Sequence, residues 1–362
     1  MTDRYAEYRA LARSLKVDAV ALVPGSNFVR LFGQDFHSFE RPMVVLIPPI
    51  GPPAALVPNL ELGSFALLGF EGPVFDWRDQ TGYGDAFAAL AAAFPMGRVA
   101  VEGQVMRVFV HHALTRAWPG LTVTDAERAI SGLRLRKTAA DVAALEEAIA
   151  ISERALTETL DQVRLGMTEL QVEQLLILAM FRNGMTEQAF GPIVAAGPNS
   201  ARPHAHAGAY VIQPGDALLF DFGARAQGFC ADITRTVFVG HATDHAHQVY
   251  ETVRAANQKC HDITRPGLSA HDIDDAVTGV LEASPFAAHI RTKTGHGLGR
   301  DVHEEPYMMR GNPQIMEPGM VFTNEPGLYD LTAFGVRIED DMLVTATGNR
   351  SLTTFPRTLR VL

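Results

Sequence analysis

The chain has 362 residues, 47% hydrophobic and 20% charged, the balance of a globular protein with room for one large domain or two ordinary ones. A formal net charge of −10 excludes a sequence-independent nucleic-acid binder, which needs a basic face. Two cysteines, Cys230 and Cys260, exclude a disulfide framework and point to a reducing compartment. No uncharged apolar run reaches the roughly 18 residues of a membrane span. The opening residues also lack the apolar core of a signal peptide, so a cytoplasmic protein with no membrane partner is expected.

Residues 4–15 read as an amphipathic helix, with Tyr8, Leu11 and Leu15 at helical spacing. Short apolar runs follow at 19–23, 43–47 and 54–57, punctuated by Pro and Gly, and two of them carry the continuous aliphatic character of buried strands. A helix over 86–94 and a short strand at 99–101 continue the alternation. A small α/β domain is therefore expected over residues 1–125, with the polar stretch 126–137 as a linker. From 138 to 362 the pattern changes. Thr138 with Asp141 and Thr168 with Gln171 are capping boxes that open helices. Gly166-Met-Thr-Glu-Leu-Gln-Val172 aligns with Gly267-Leu-Ser-Ala-His-Asp-Ile273, a faint repeat about 100 residues apart. Such a repeat fits a two-fold pseudo-symmetric α+β domain with a site at the centre of its sheet.

The chemistry gathers in this second half. The run from Gly215 to Thr236 reads as a hairpin whose strands each present an acid, Asp221 and Asp232, beside apolar neighbours. Buried carboxylates are costly unless paired or holding a metal. Further acids and histidines follow in Gly295-His296-Gly-Leu-Gly, Val302-His303-Glu-Glu-Pro, Asn324-Glu325-Pro-Gly and Arg337-Ile-Glu339-Asp. Four carboxylates and one imidazole make a hard donor set, which favours manganese or a similar divalent ion over a thiolate zinc site. Because a carboxylate can bridge, five residues could hold two ions about 3.5–4 Å apart. His241, His245 and His247 read as a solvated loop and helix start, His206 as a rim residue, and Cys230 as a small buried side chain.

In the order Asp221, Asp232, His296, Glu325, Glu339, with their neighbours, the chain resembles the pita-bread metallopeptidases: prolidases, Xaa-Pro aminopeptidases and methionine aminopeptidases. The resemblance spans roughly residues 133–362. The segment before it resembles the extra creatinase/prolidase-type α/β domain that methionine aminopeptidases lack. The resemblance implies two divalent metals, manganese first with cobalt and zinc as alternatives. Asp221 would bind one through both oxygens, Asp232 and Glu339 would bridge, and His296 and Glu325 would complete the second. It further implies that Glu325 shuttles a proton and that His204 and His303 meet the substrate. Arg337 would orient the carboxylates. The expected reaction is cleavage before proline, in Xaa-Pro dipeptides first, with longer peptides or a non-proline amide as alternatives. A homodimer is expected from the same resemblance. Two departures bear on substrate preference: Phe229 stands where a tyrosine is frequent, and Thr292 where some aminopeptidases carry a histidine. Arg41, just before a strand of the first domain, is read either as a surface ion-pair residue or as the receptor of a dipeptide's α-carboxylate, for which a guanidinium fork is suited.

Overall fold

The computed structural model describes residues 3–362, which form two compact units dividing between Arg134 and Leu135. In the first, six strands make one mixed sheet: β1 (Ala19–Leu22), β2 (Val44–Ile47), β3 (Ala54–Pro58), β4 (Val74–Trp77), β5 (Arg98–Val101) and β6 (Thr122–Asp125), in the order β4-β3-β2-β1-β5-β6. Strands β1, β2 and β3 are buried on both faces, which is why they read as unbroken apolar runs. Alternate residues serve opposite cores. Val20, Leu22, Val45 and Ile47 pack with Tyr8 and Phe28, whereas Ala19, Ala21, Val44 and Leu46 pack with Trp77, Phe87 and Leu114.

Three features differ from the sequence expectation. Strand β4 has an exposed, mixed composition at the sheet edge, and β6 lies in what reads as a polar stretch. Edge strands need bury little, so neither carries an apolar signature. Residues 126–137, expected as a linker, are helical over Glu127–Ser131, and Ala126 and Ile130 pack into the first core.

The second unit is built twice over. Helices Ala139–Leu160 and Glu169–Arg182 pack on the antiparallel sheet of Ile193–Ala196, Ala217–Phe222 and Ile233–Phe238, with Leu145, Leu156, Val172, Leu176, Phe220 and Phe222 in one core. Helices Asp244–Ile263 and Ala270–Glu282 share a second core with Phe322 and Met342, from a five-stranded sheet that contains Gly295–Gly297, Val321–Asn324 and Asp340–Val344. The repeat is physical. Thr168 and Ser269 each cap the second helix of a pair with a complete capping box. Each lies two residues after a glycine in the left-handed region, Gly166 at φ +86° and Gly267 at φ +92°. Among the described residues no helix is long and apolar enough to cross a membrane.

Candidate active site

The hairpin carries the first two acids. Strand 217–222 is buried throughout, and its alternation sends Leu218, Phe220 and Phe222 into the helix-covered core while Asp221 faces the other way. Thr234 pairs with Asp221 across the hairpin, and Asp232 sits where the chain returns. Gly223 makes the crossing possible, since a Cβ there would lie 1.7 Å from the Ala231 carbonyl oxygen. Strand 340–344 ties in through Arg235, which is fully buried and meets Asp340 at 2.7 Å. Glu339 immediately precedes that strand, and its N–H donates to the Thr234 carbonyl at 3.1 Å.

The other sheet brings the rest. His296 occupies a three-residue strand, and a Cβ on Gly295 would lie 1.9 Å from the Thr323 carbonyl oxygen. The His296 Nδ1 lies 3.1 Å from the Gly297 carbonyl, a contact that needs the proton on Nδ1 and leaves the Nε2 lone pair free for a cation. That Nε2 is 3.3 Å from Glu325 Oε1 and 3.5 Å from Asp232 Oδ2. Three groups of donors have their ligand atoms within 4.8 Å of one another: Asp221, Asp232 and Glu339; His296, Glu325 and Glu339; and Asp232, His296 and His303.

The electrostatics ask for positive charge. Burial, then the charges of Glu339 and Asp221, pushes the Asp232 carboxyl well above the usual range. Burial, then Glu325 and Asp221, does the same to Glu339. Burial pushes Glu325 up to about 7, against the pull of Arg337. Burial, followed by His303, takes His296 down to about 3, so the imidazole is neutral and its lone pair free. Asp221 Oδ1 is buried without a hydrogen-bond partner. An orphaned carboxylate oxygen among mutually repelling acids, with a neutral imidazole alongside, fits divalent cations.

A surrounding layer holds these groups. Arg337 donates through Nη2 to Asp221 Oδ2, through Nη1 to the Tyr329 hydroxyl (2.8 Å) and through Nε to the Thr234 hydroxyl (2.9 Å). That hydroxyl in turn donates to Glu339 Oε2 at 2.5 Å. Thr323 does the same for Glu325 Oε1 at 3.1 Å. All of these acids open on one cleft of about 470 Å³, which His204 and His303 also line, with Phe190, Ile193, Pro203 and Val302 as apolar wall. The His303 ring stands edge-on to His296, centroids 4.2 Å apart. Cys230 and Cys260 are buried, and burial pushes both thiols up to about 12, so neither is a nucleophile. Arg41 has its fork on Asp79, with Nε at 3.0 and 3.2 Å from the two carboxylate oxygens and Nη2 at 2.8 Å.

Sequence reasoning missed Thr234, Thr323 and Tyr329, whose roles depend on cross-strand register and leave no trace in spacing. It also missed Lys137, whose ammonium is buried against Glu304, the residue after His303. Removing one partner of such a pair strands a buried charge. Lys137→Met is expected to lower unfolding free energy by about 3–5 kcal/mol in urea, and adding Glu304→Met should recover most of the loss.

The raised carboxyls also set a pH dependence. An acid whose folded pKa lies above its unfolded value adds stability below the unfolded value and loses it as pH rises through the folded one. The metal-free protein should therefore melt at a lower temperature at pH 8 than at pH 5.5, with Glu325 titrating from its ordinary 4.5 up to about 7. Divalent cations should remove most of that fall. A thermal melt in chelator and in Mn²⁺ across this range measures it, and a metal-free melting temperature that rises with pH contradicts it.

A family model described as metallopeptidase family M24 matches residues 143–346, and one described as the creatinase/prolidase N-terminal domain matches residues 4–136. A prolidase from Thermococcus sibiricus has a TM-score of 0.94 at 31% identity, with 100% of each chain covered. Dipeptidase PepE from Mycobacterium ulcerans has a TM-score of 0.91 at 32% identity, covering 99% of this chain and 96% of that one. An Xaa-Pro dipeptidase from Lactobacillus helveticus is 32% identical over 265 residues, 73% of this chain and 72% of its own.

Proposed function

The chain belongs to metallopeptidase family M24, in its prolidase-type two-domain form, and from that premise we propose that it is a dinuclear-metal Xaa-Pro dipeptidase. One observation carries the reading beyond the family: Glu339 belongs to two adjacent donor triads, one with Asp221 and Asp232 and one with His296 and Glu325. A carboxylate shared in this way suits a pair of neighbouring cations. Asp232 would be the second shared ligand. Manganese is the first choice for so oxygen-rich a set, with cobalt and zinc as alternatives.

When bound, the cations supply Lewis acidity towards the scissile carbonyl and lower the pKa of water towards neutrality. The chain's own residues do the rest. Glu325, a carboxylate beside the position of the attacking water, takes a proton from it and returns the proton to the leaving proline nitrogen. His204 and His303 donate hydrogen bonds to the carbonyl oxygen as it gains charge. Arg337 and Thr234 hold Asp221 and Glu339 in place, so that little reorganisation accompanies the reaction. The wall of Phe190, Ile193, Pro203 and Val302 takes the apolar parts of the substrate, the proline ring among them.

Metal-stripped protein resupplied with Mn²⁺ tests the reading on Met-Pro and on Met-Pro-Xaa tripeptides. The dipeptide alone should be cut. Efficient tripeptide cleavage would instead make the protein an Xaa-Pro aminopeptidase.

A further inference from the structure

The second helix of each half buries an acid that does not line the cleft. Glu169 opens the helix Glu169–Arg182 and is 1% exposed, and Asp274 lies within the helix Ala270–Glu282 and is 4% exposed. A carboxylate this deep is costly unless its oxygens are satisfied. Here the donors are neutral. Glu169 Oε1 accepts from the Ala196 N–H (2.7 Å) and the Asn199 side-chain amide (3.0 Å), and Oε2 from the Gly208 N–H (3.0 Å) and the same amide (3.1 Å). Asp274 Oδ1 accepts from the Thr294 N–H (2.8 Å) and the Thr278 hydroxyl (3.4 Å), and Oδ2 from the Arg310 N–H (2.7 Å).

The backbone donors are placed alike in the two halves. Ala196 ends a strand, and the chain from there to Gly208 carries His204. Thr294 stands just before the His296 strand, and the chain from there to Arg310 carries His303. The helix starts repeat the arrangement: the Leu170 N–H donates to the Gly208 carbonyl (3.1 Å), and the His271 N–H to the Asn312 carbonyl (2.9 Å). Each acid thus closes the base of one excursion of the chain, and each excursion presents one cleft histidine. Asn199 adds a second tie, donating to the His206 carbonyl at 3.2 Å, two residues from His204. Both histidines are exposed at the cleft, so the backbone that carries them sets where they stand.

We infer that Glu169 and Asp274 are paired positioning residues, one per half, that hold His204 and His303 where the substrate's carbonyl oxygen gains charge. The inference rests on the dipeptidase reading above, in which both histidines donate to that oxygen. Such stabilisation depends on donors already in place, and a misplacement of about 1 Å can cost on the order of 10²-fold in rate. A carboxylate suits the task because both of its oxygens accept, so it joins N–H groups from the two ends of a loop. An amide has one accepting oxygen and would aim its own N–H at the other donor.

Kinetic cycles on Met-Pro in saturating Mn²⁺ test the pairing. Glu169→Gln should lower kcat by about 10–100-fold with little change in KM. In a His204→Ala background most of that loss should vanish, since no ring is left to misplace, whereas in His303→Ala it should persist. Asp274→Asn should show the reverse, coupling to His303 and not to His204. Asn199→Ala leaves Glu169 its two backbone donors and should give a smaller loss with the same coupling to His204, which keeps the test decisive if Glu169→Gln does not fold. Losses of equal size in every background would overturn the inference and leave the dipeptidase reading standing. Full activity in Glu169→Gln, or a rise in KM with kcat unchanged, would do the same. A wild type that cuts neither Met-Pro nor a Met-Pro-Xaa tripeptide defeats the dipeptidase reading, and the inference with it.

Discussion

Asp232→Asn is expected to cut Mn²⁺-supported hydrolysis of Met-Pro by more than the roughly 100-fold that loss of an outer partner of a metal ligand costs. Asp232 is common to two of the donor groups, and its carboxyl is buried against Glu339 and Asp221. Asparagine keeps the shape and the backbone N–H that donates to Asp341 Oδ2, so the substitution removes charge and little else. The same variant should be more stable than wild type when metal-free at pH 8, because one of several mutually repelling carboxylates is gone. Opposite signs on activity and on metal-free stability separate a ligand from a residue that merely supports the fold. Steady-state kinetics at saturating Mn²⁺ and a melt in chelator read the two. Activity within tenfold of wild type would remove Asp232 from the ligand set.

Glu325→Gln is expected to lower kcat about 10²–10⁴-fold with a much smaller change in KM, the mark of a group used in the transition state more than in substrate binding. Two features single it out. It lines the cleft beside His296 and belongs to the same donor group as His296 and Glu339, where an attacking water would stand. Its Oε1 is also fixed, accepting from the Thr323 hydroxyl at 3.1 Å and lying 3.3 Å from His296 Nε2. Glutamine fills the same space but cannot carry the proton. A rise in KM with kcat unchanged would reduce Glu325 to a binding role.

Much of this was legible because the site is written in short motifs that end strands. The acids stand beside Gly and Pro turns, as Asp221-Phe-Gly and Glu325-Pro-Gly do, and hydrophobic flanks that cannot solvate a carboxylate mark those acids as unusual. Capping boxes at Thr138 and Thr168 signal helix starts for a local reason, the reciprocal satisfaction of two backbone N–H groups, and the helices begin where those signals stand. The apolar runs of β1 to β3 stood out for a similar reason, since strands buried on both faces admit only apolar residues, although only two of the three read as strands. What stayed hidden depends on the third dimension. Thr234 supports Glu339 only because the hairpin is set so that residues 105 apart meet, and spacing carries no record of that. Lys137 looks like a solvated linker residue until Glu304 is brought against it. Strands β4 and β6 lie at sheet edges, where little burial is demanded, so composition leaves them looking like loops.

The most direct measurement is a titration of the metal-stripped protein with Mn²⁺, counting bound ions while following release of proline from Met-Pro. Two ions per chain at saturation are expected, with no cleavage in excess chelator and hydrolysis that reaches its full rate as the second ion binds. Two bound ions with neither Met-Pro nor a Met-Pro-Xaa tripeptide cleaved would contradict that expectation, as would undiminished cleavage in chelator.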